Sequence, residues 1–242
     1  MATSIQLAQD LSAALGIPAP TVMHILGGLR SAGLIMSRGR GPSATAMSST
    51  DASALLIGIG SGAAAAHVGP ITRSLMTMPL RHALRPAVVG FEKVRDHEHR
   101  FYHFLQPHSF VEALNLLLDA DDQAPEPEAD NRVQVSPFDW LDRLSLTIGA
   151  DASRSRGFAV IRSSSASREI ANIYSTWTIL RPSGPWDLDV ARLFGPEGGA
   201  LSAMHVGGRV LRAAIGSLRE PVKGARPRPE RIAGFSRRAV RK

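Results

Sequence analysis

Residues 11–25 read Leu11-Ser12-Ala13-Ala14-Leu15-Gly16-Ile17-Pro18-Ala19-Pro20-Thr21-Val22-Met23-His24-Ile25, and their spacing describes two short helices meeting at a tight corner. Working back, Leu7, Leu11 and Leu15 recur at four-residue intervals, which lines one face of a helix, and Thr3 or Ser4 can cap its start. Gly16 ends that helix, because glycine adopts the left-handed backbone of a helix terminus without cost. Working forward, Pro20 suits the first turn of a second helix, where its missing N–H is not needed. Val22, Ile25, Leu26 and Leu29 give this helix an apolar face, and Gly33 stops it after Ala32.

The pattern continues outward. Leu34-Ile35-Met36 reads as a short strand, Arg38-Gly39-Arg40-Gly41-Pro42 as a turn and Ala44–Met47 as a returning strand. Ser48-Ser49-Thr50-Asp51 supplies N-cap candidates for a third helix through Ala52–Ile59. From Ile71 to Leu118 the apolar spacing is helical, with breaks at Pro79, Pro86 and Pro107. Asp119–Asn131 holds six acidic residues, two prolines and no basic residue, the composition of a solvated linker or loop. The period then shortens: Arg132–Ser136, Leu144–Ile148, Gly157–Arg162 and Ile170–Leu180 read as strands between Ser-, Gly- and Asp-rich turns. Val206–Leu218 returns to helical spacing, and a Pro- and Arg-rich tail follows from Pro221.

The segment 11–25 resembles the frame of helix-turn-helix regulators. That frame asks for a small residue in the first helix (Ser12), glycine in the turn (Gly16), and apolar residues at Ile17, Val22 and Ile25. Leu29-Arg30-Ser31-Ala32-Gly33-Leu34-Ile35 followed by Arg38-Gly39-Arg40-Gly41 is similar to the recognition-helix end and wing of winged-helix regulators of bacteria and bacteriophages. The resemblance covers about a quarter of the chain. It implies that the second helix enters the major groove of double-stranded DNA, with Pro18, Ala19, Pro20, Thr21 and His24 facing the bases. Only Thr21 and His24 among them can hydrogen-bond, and neither forms the bidentate pairings that read guanine or adenine best. Affinity is therefore expected from phosphate contacts by Arg30, Arg38 and Arg40.

Charge adds a second candidate contact. The net charge is +7, and residues 219–242 carry it all, with nine basic side chains against two acidic ones. Arg226, Arg228, Arg231, Arg237, Arg238 and Arg241 stand among prolines and small residues, so the tail can lie along phosphates without folding first. Arg237 and Arg238 are its candidate DNA-binding residues. Of 28 basic residues only Lys93, Lys223 and Lys242 are lysine, a bias that coding preference explains better than phosphate recognition, since Ala, Gly and Arg are abundant throughout the chain.

Other chemistries are less well supplied. Cysteine is absent, which excludes disulfides and thiolate zinc sites. Gly58-Ile59-Gly60-Ser61-Gly62-Ala63 has the glycine spacing of a dinucleotide-binding turn. The first acid beyond it is Glu92 and no βαβ unit surrounds it, so close helix packing through small residues is the better reading. Asp96-His97-Glu98-His99, with His103 and His108, could ligate a metal, but a solvated helix face with Phe101, Phe104 and Leu105 turned inward is favoured. No nucleophile elbow, phosphate-binding loop or paired carboxylate is present, so no enzyme, cofactor or metal is expected. Ala52–Thr72 is uncharged and long enough to span a bilayer, yet its glycines, His67 and Pro70 mark it as a buried segment. The N-terminus shows no secretory pattern, and a cytoplasmic location is the default expectation.

These readings add up to an α+β protein in five parts. A winged helix-turn-helix occupies residues 1–59, and a helical region 60–118. An acidic linker or loop at 119–131 leads to an antiparallel, β-rich α+β domain with a final helix at 132–218. The disordered basic tail is 219–242. The function expected is a DNA-binding transcriptional regulator of bacterial or phage type, acting as a homodimer and contacting RNA polymerase or another protein. The alternatives are a phage packaging oligomer resembling small terminase subunits, and an inhibitor of a nucleic-acid enzyme with an autoregulatory DNA-binding domain. Solution mass separates the first two, since a dimer suits the regulator and a large ring suits packaging.

Overall fold

A computed structural model of the chain describes residues 3–36, 46–84, 108–119, 144–150, 156–165, 168–176 and 202–219. It is a mixed structure of helices and one antiparallel sheet. The elements are α1 (Ser4–Leu15), α2 (Ala19–Ser31), α3 (Ser49–Gly60), α4 (Val68–Met76), β1 (Leu80–Leu84) and α5 (Phe110–Leu118). Then come β2 (Leu144–Ala150), β3 (Gly157–Ser165), β4 (Arg168–Ser175), β5 (Ser202–Gly207) and α6 (Gly208–Arg219).

The centre of the molecule is α3. Ser48 and Asp51 form a reciprocal capping box at its start, satisfying donors that a helix N-terminus leaves free. Every residue from Ala52 to Gly60 is buried, as expected for a helix stretch with no charge around its whole circumference. Helices α2, α4 and α5 pack around it, and β2 and β5 lie against it. Its glycines are points of close approach. A Cβ on Gly60 would sit 2.8 Å from Cβ of Ile148 on β2, and one on Gly58 would sit 3.0 Å from Leu29 Cδ1 on α2. Leu55-Leu56-Ile57 is helix rather than the strand a dinucleotide-binding turn requires, so close packing explains the glycine spacing.

The sheet has the order β1-β4-β3-β2-β5, with every neighbouring pair antiparallel. Leu146 stands opposite Ile161 on one side and Val206 on the other, and Ile148 opposite Ala159 and Met204. This row faces the helices. On the alternate positions Phe158, Val160 and Ile173 are also buried, so the sheet carries apolar residues on both faces. Helix α6 follows β5 directly and packs along α1, where Ser217 Oγ donates to the Asp10 carboxylate. One continuous hydrophobic core runs from Leu7 on α1 through α3 and the sheet to Ile215 on α6.

Three expectations are corrected. Leu34–Met36 forms no strand, and neither do Ala46 and Met47. The backbone donors there are used otherwise: Leu34 N–H bonds back to Leu29 O across Gly33 at φ 70°, and Met36 N–H bonds to the Asp51 carboxylate. Leu80–Leu84, expected to be helical, is β1, because Pro79 ends the helical run and β4 supplies a pairing edge. Val206, expected at the start of the last helix, belongs to β5, and the helix begins at Gly208. The strand expected at Arg132–Ser136, the histidines at 97–103, the acidic run beyond Asp119 and the basic tail beyond Arg219 lie outside the described residues. No described helix is long and apolar enough to cross a membrane.

Candidate nucleic-acid interface

The corner between α1 and α2 is built as its residues dictate. Thr3 caps α1, its side chain accepting from Gln6 N–H. Gly16 takes φ 67° at the helix end, and its N–H bonds to Ser12 O. Ser12 is buried, and its hydroxyl donates to Ile17 O at 2.6 Å, which fastens the turn to the last turn of α1. Pro18 O then accepts from Thr21 and Val22 N–H at the start of α2.

Helix α2 has two sides. Val22, Ile25, Leu26 and Leu29 are buried against the core. Pro20, His24, Gly27 and Ser31, spaced at intervals of four, three and four, form an exposed stripe, with Thr21 and Ala19 beside it. None of these is an acid, a lysine or an arginine. The N-terminus of α2 offers few free donors: Pro18 and Pro20 have no N–H, and Thr21 N–H is already bonded. It is therefore a poor anion site compared with an ordinary helix start.

The arginine expected at phosphate from this helix has another partner. Arg30 is half-buried, and its Nη2 donates to Ser4 Oγ, tying the end of α2 to the start of α1. Arg73 of α4 is exposed, and its Nη2 donates to Ala32 O at 3.0 Å, capping the C-terminal end of α2. Here α2 and α4 approach closely enough that a Cβ on Gly28 would collide with Ala65 O, and one on Gly69 with Ala32 Cβ. The shallow depression of about 340 Å³ beside this approach is lined by Gly28, Ser31, Ala32, Ala65, Ala66, Gly69 and Pro70. It offers no titratable group for chemistry. Arg38, Arg40, Arg237 and Arg238 lie outside the described residues.

Asp51 does more than cap α3. Its Oδ2 accepts from Ser48 N–H at 3.0 Å and Ser48 Oγ at 2.9 Å, while its Oδ1 accepts from Met36 N–H at 3.3 Å. The capping-box spacing Ser48-x-x-Asp51 announces the first role, but nothing local announces the second. A buried polar row elsewhere was equally hidden. Tyr174 is fully buried, with its hydroxyl 2.8 Å from His108 Nε2 and 3.4 Å from the Asn172 amide nitrogen.

The carboxyl group of Glu112, at the start of α5, is held below the ordinary carboxylate range. The Ser109 N–H at 2.6 Å, then the Ser109 hydroxyl at 2.8 Å, stabilise its charged form and lower its pKa. No group of three or more potential metal ligands converges among the described residues. No family model, curated protein or solved structure matches the chain.

Proposed function

We propose that the chain binds double-stranded DNA through α1, the Gly16 turn and α2, and that it acts as an oligomeric transcriptional regulator of bacterial or phage type. The observation that carries this reading is the two-sidedness of α2. Its apolar side is consumed by the core, while the stripe Pro20, Thr21, His24, Gly27 and Ser31 stays open along the length of the helix. A helix held this way after a left-handed glycine turn has the disposition of one that lies in a major groove. The small side chains permit close approach, and they give little direct base reading, since only Thr21, His24 and Ser31 can hydrogen-bond.

Affinity then rests on phosphate contacts. With Arg30 committed to Ser4, the arginines assigned to DNA are Arg38 and Arg40, with Arg237 and Arg238 in the tail. A second copy of the chain would compensate for the sparse readout of one module. The test is fluorescence anisotropy of the full chain against a labelled mixed-sequence duplex at several salt concentrations. Binding should weaken steeply with salt. The double variant R38A/R40A should flatten the log–log slope by about two, since each neutralised phosphate adds roughly 0.9 to that slope. Salt-independent binding, or none at low salt, would defeat the proposal.

A further inference from the structure

We infer that Arg73 of α4 is a further phosphate contact at the C-terminal end of α2, an inference that rests on the DNA-binding reading above. Its Nη2 donates to Ala32 O at 3.0 Å, next to Ser31, the last residue of the open stripe. That bond uses one of the five N–H donors of a guanidinium, and Arg73 is exposed, so its planar fork can meet a phosphate without leaving α2. Arg30, the basic residue in the last turn of α2 itself, is committed to Ser4. Neither α2 nor α4 contains an acid that would compete for the Arg73 guanidinium, and the chain has none between Asp51 and Glu92.

The length of α2 explains why a cation is needed there. Ser31 lies ten residues beyond Thr21, about 15 Å along the helix at roughly 1.5 Å per residue. That exceeds the roughly 12 Å width of a major groove. A helix crossing the groove with Thr21 at the bases therefore brings its far end to a phosphate strand. The last carbonyls of a helix carry partial negative charge and repel an anion. Arg73 sits on one of them and reverses the sign of that end. The guanidinium is also held in place before any ligand arrives. A Cβ on Gly69 would collide with Ala32 Cβ, so α4 is packed directly on the end of α2, and Arg73 follows Gly69 by one turn on the same face of α4. A side chain anchored in this way gives up less freedom on binding than an unanchored one.

The anisotropy titration against a labelled mixed-sequence duplex is run across salt concentrations on the wild-type chain, R73Q, R73K, R81Q and T21E/H24E, with thermal midpoints measured alongside. R73Q removes the charge and R73K keeps it, while both replace the guanidinium at Ala32 O, so a purely structural role would affect the two alike. R81Q removes one exposed charge from β1, where Arg81 Nε donates to Ser175 O of β4. R73Q should weaken binding several-fold and flatten the log–log salt slope by about 0.9, the share of one neutralised phosphate. R73K should keep the wild-type slope, and R81Q should keep both slope and affinity. The inference is overturned if R73Q retains the wild-type slope, if R73K loses as much slope as R73Q, or if R81Q flattens it equally through net charge alone. Failure of the underlying reading leaves a different mark. Wild-type binding without salt dependence, or T21E/H24E binding like the wild type, would remove α2 from the groove and Arg73 with it.

Discussion

Helices α2 and α3 are neighbours in sequence and nearly equal in length, at 13 and 12 residues, yet they play opposite parts. In α2 four residues are buried and a stripe at helical spacing stays open. In α3 nine consecutive residues are buried, two of them glycines pressed against Leu29 and Ile148. The difference follows from where each sequence places its small and polar residues. Helix α2 gathers Pro20, Thr21, His24, Gly27 and Ser31 on one side, whereas beyond Asp51 the only polar side chain of α3 is Ser53. A helix without a polar side must be enclosed, while α2, packed on it by its apolar side, leaves its polar and small residues exposed. The fold thus separates a helix enclosed on all sides from one that keeps an exposed side, the side to which the proposed function assigns recognition.

The contrast can be broken first by stability measurements. Leu56 on α3 is fully buried, so Leu56→Ala should cost about 2–5 kcal/mol in denaturant unfolding, enough to threaten a domain of ordinary stability. Ser31→Ala on the open side of α2 should change stability by no more than about 0.5 kcal/mol. Equal losses at the two positions would mean that α2 is as enclosed as α3.

The smallest expected effect sharpens the comparison from outside it, at the capping box of α5. Glu112 is lowered in pKa by Ser109 in the folded state, so it contributes stability that is present above its unfolded pKa. That contribution is lost as pH falls through the lowered folded value. The difference in thermal midpoint between the wild-type chain and Glu112→Gln should therefore be largest near neutral pH and shrink below the ordinary carboxylate range. A gap that widens in acid would reverse the assigned sign. Glu112 accepts from Ser109 within its own cap on α5, away from α2, so its replacement should leave DNA affinity untouched.

What could be read in the sequence was what local chemistry determines. Gly16 and Ser12 bond within five residues along the chain, the apolar positions of α1 and α2 recur at helical spacing, and the capping residues of α3 lie three apart. The strands β2 and β3 were legible because each is long and rich in branched apolar residues. Strands β1 and β5 were not, since each is a short edge strand defined by pairing with β4 or β2, far away in sequence. At the candidate interface the same limit applied. The stripe on α2 follows from helical periodicity, but the commitment of Arg30 to Ser4 spans 26 residues and the bond from Met36 to Asp51 spans 15. Likewise a core joining α1 to α6 depends on packing between distant parts of the chain, which no local pattern encodes.

The proposed binding of DNA by α2 requires its open side, where a change of charge should alter binding without altering the fold. Thr21 and His24 are both exposed there. The direct measurement is duplex affinity of the double variant T21E/H24E by anisotropy, with its thermal midpoint as the control. Two carboxylates facing a phosphate-lined groove should weaken binding by at least about tenfold, or roughly 1.4 kcal/mol, while the midpoint stays at the wild-type value. Unchanged affinity in a variant that remains folded would contradict the assignment of α2 to DNA.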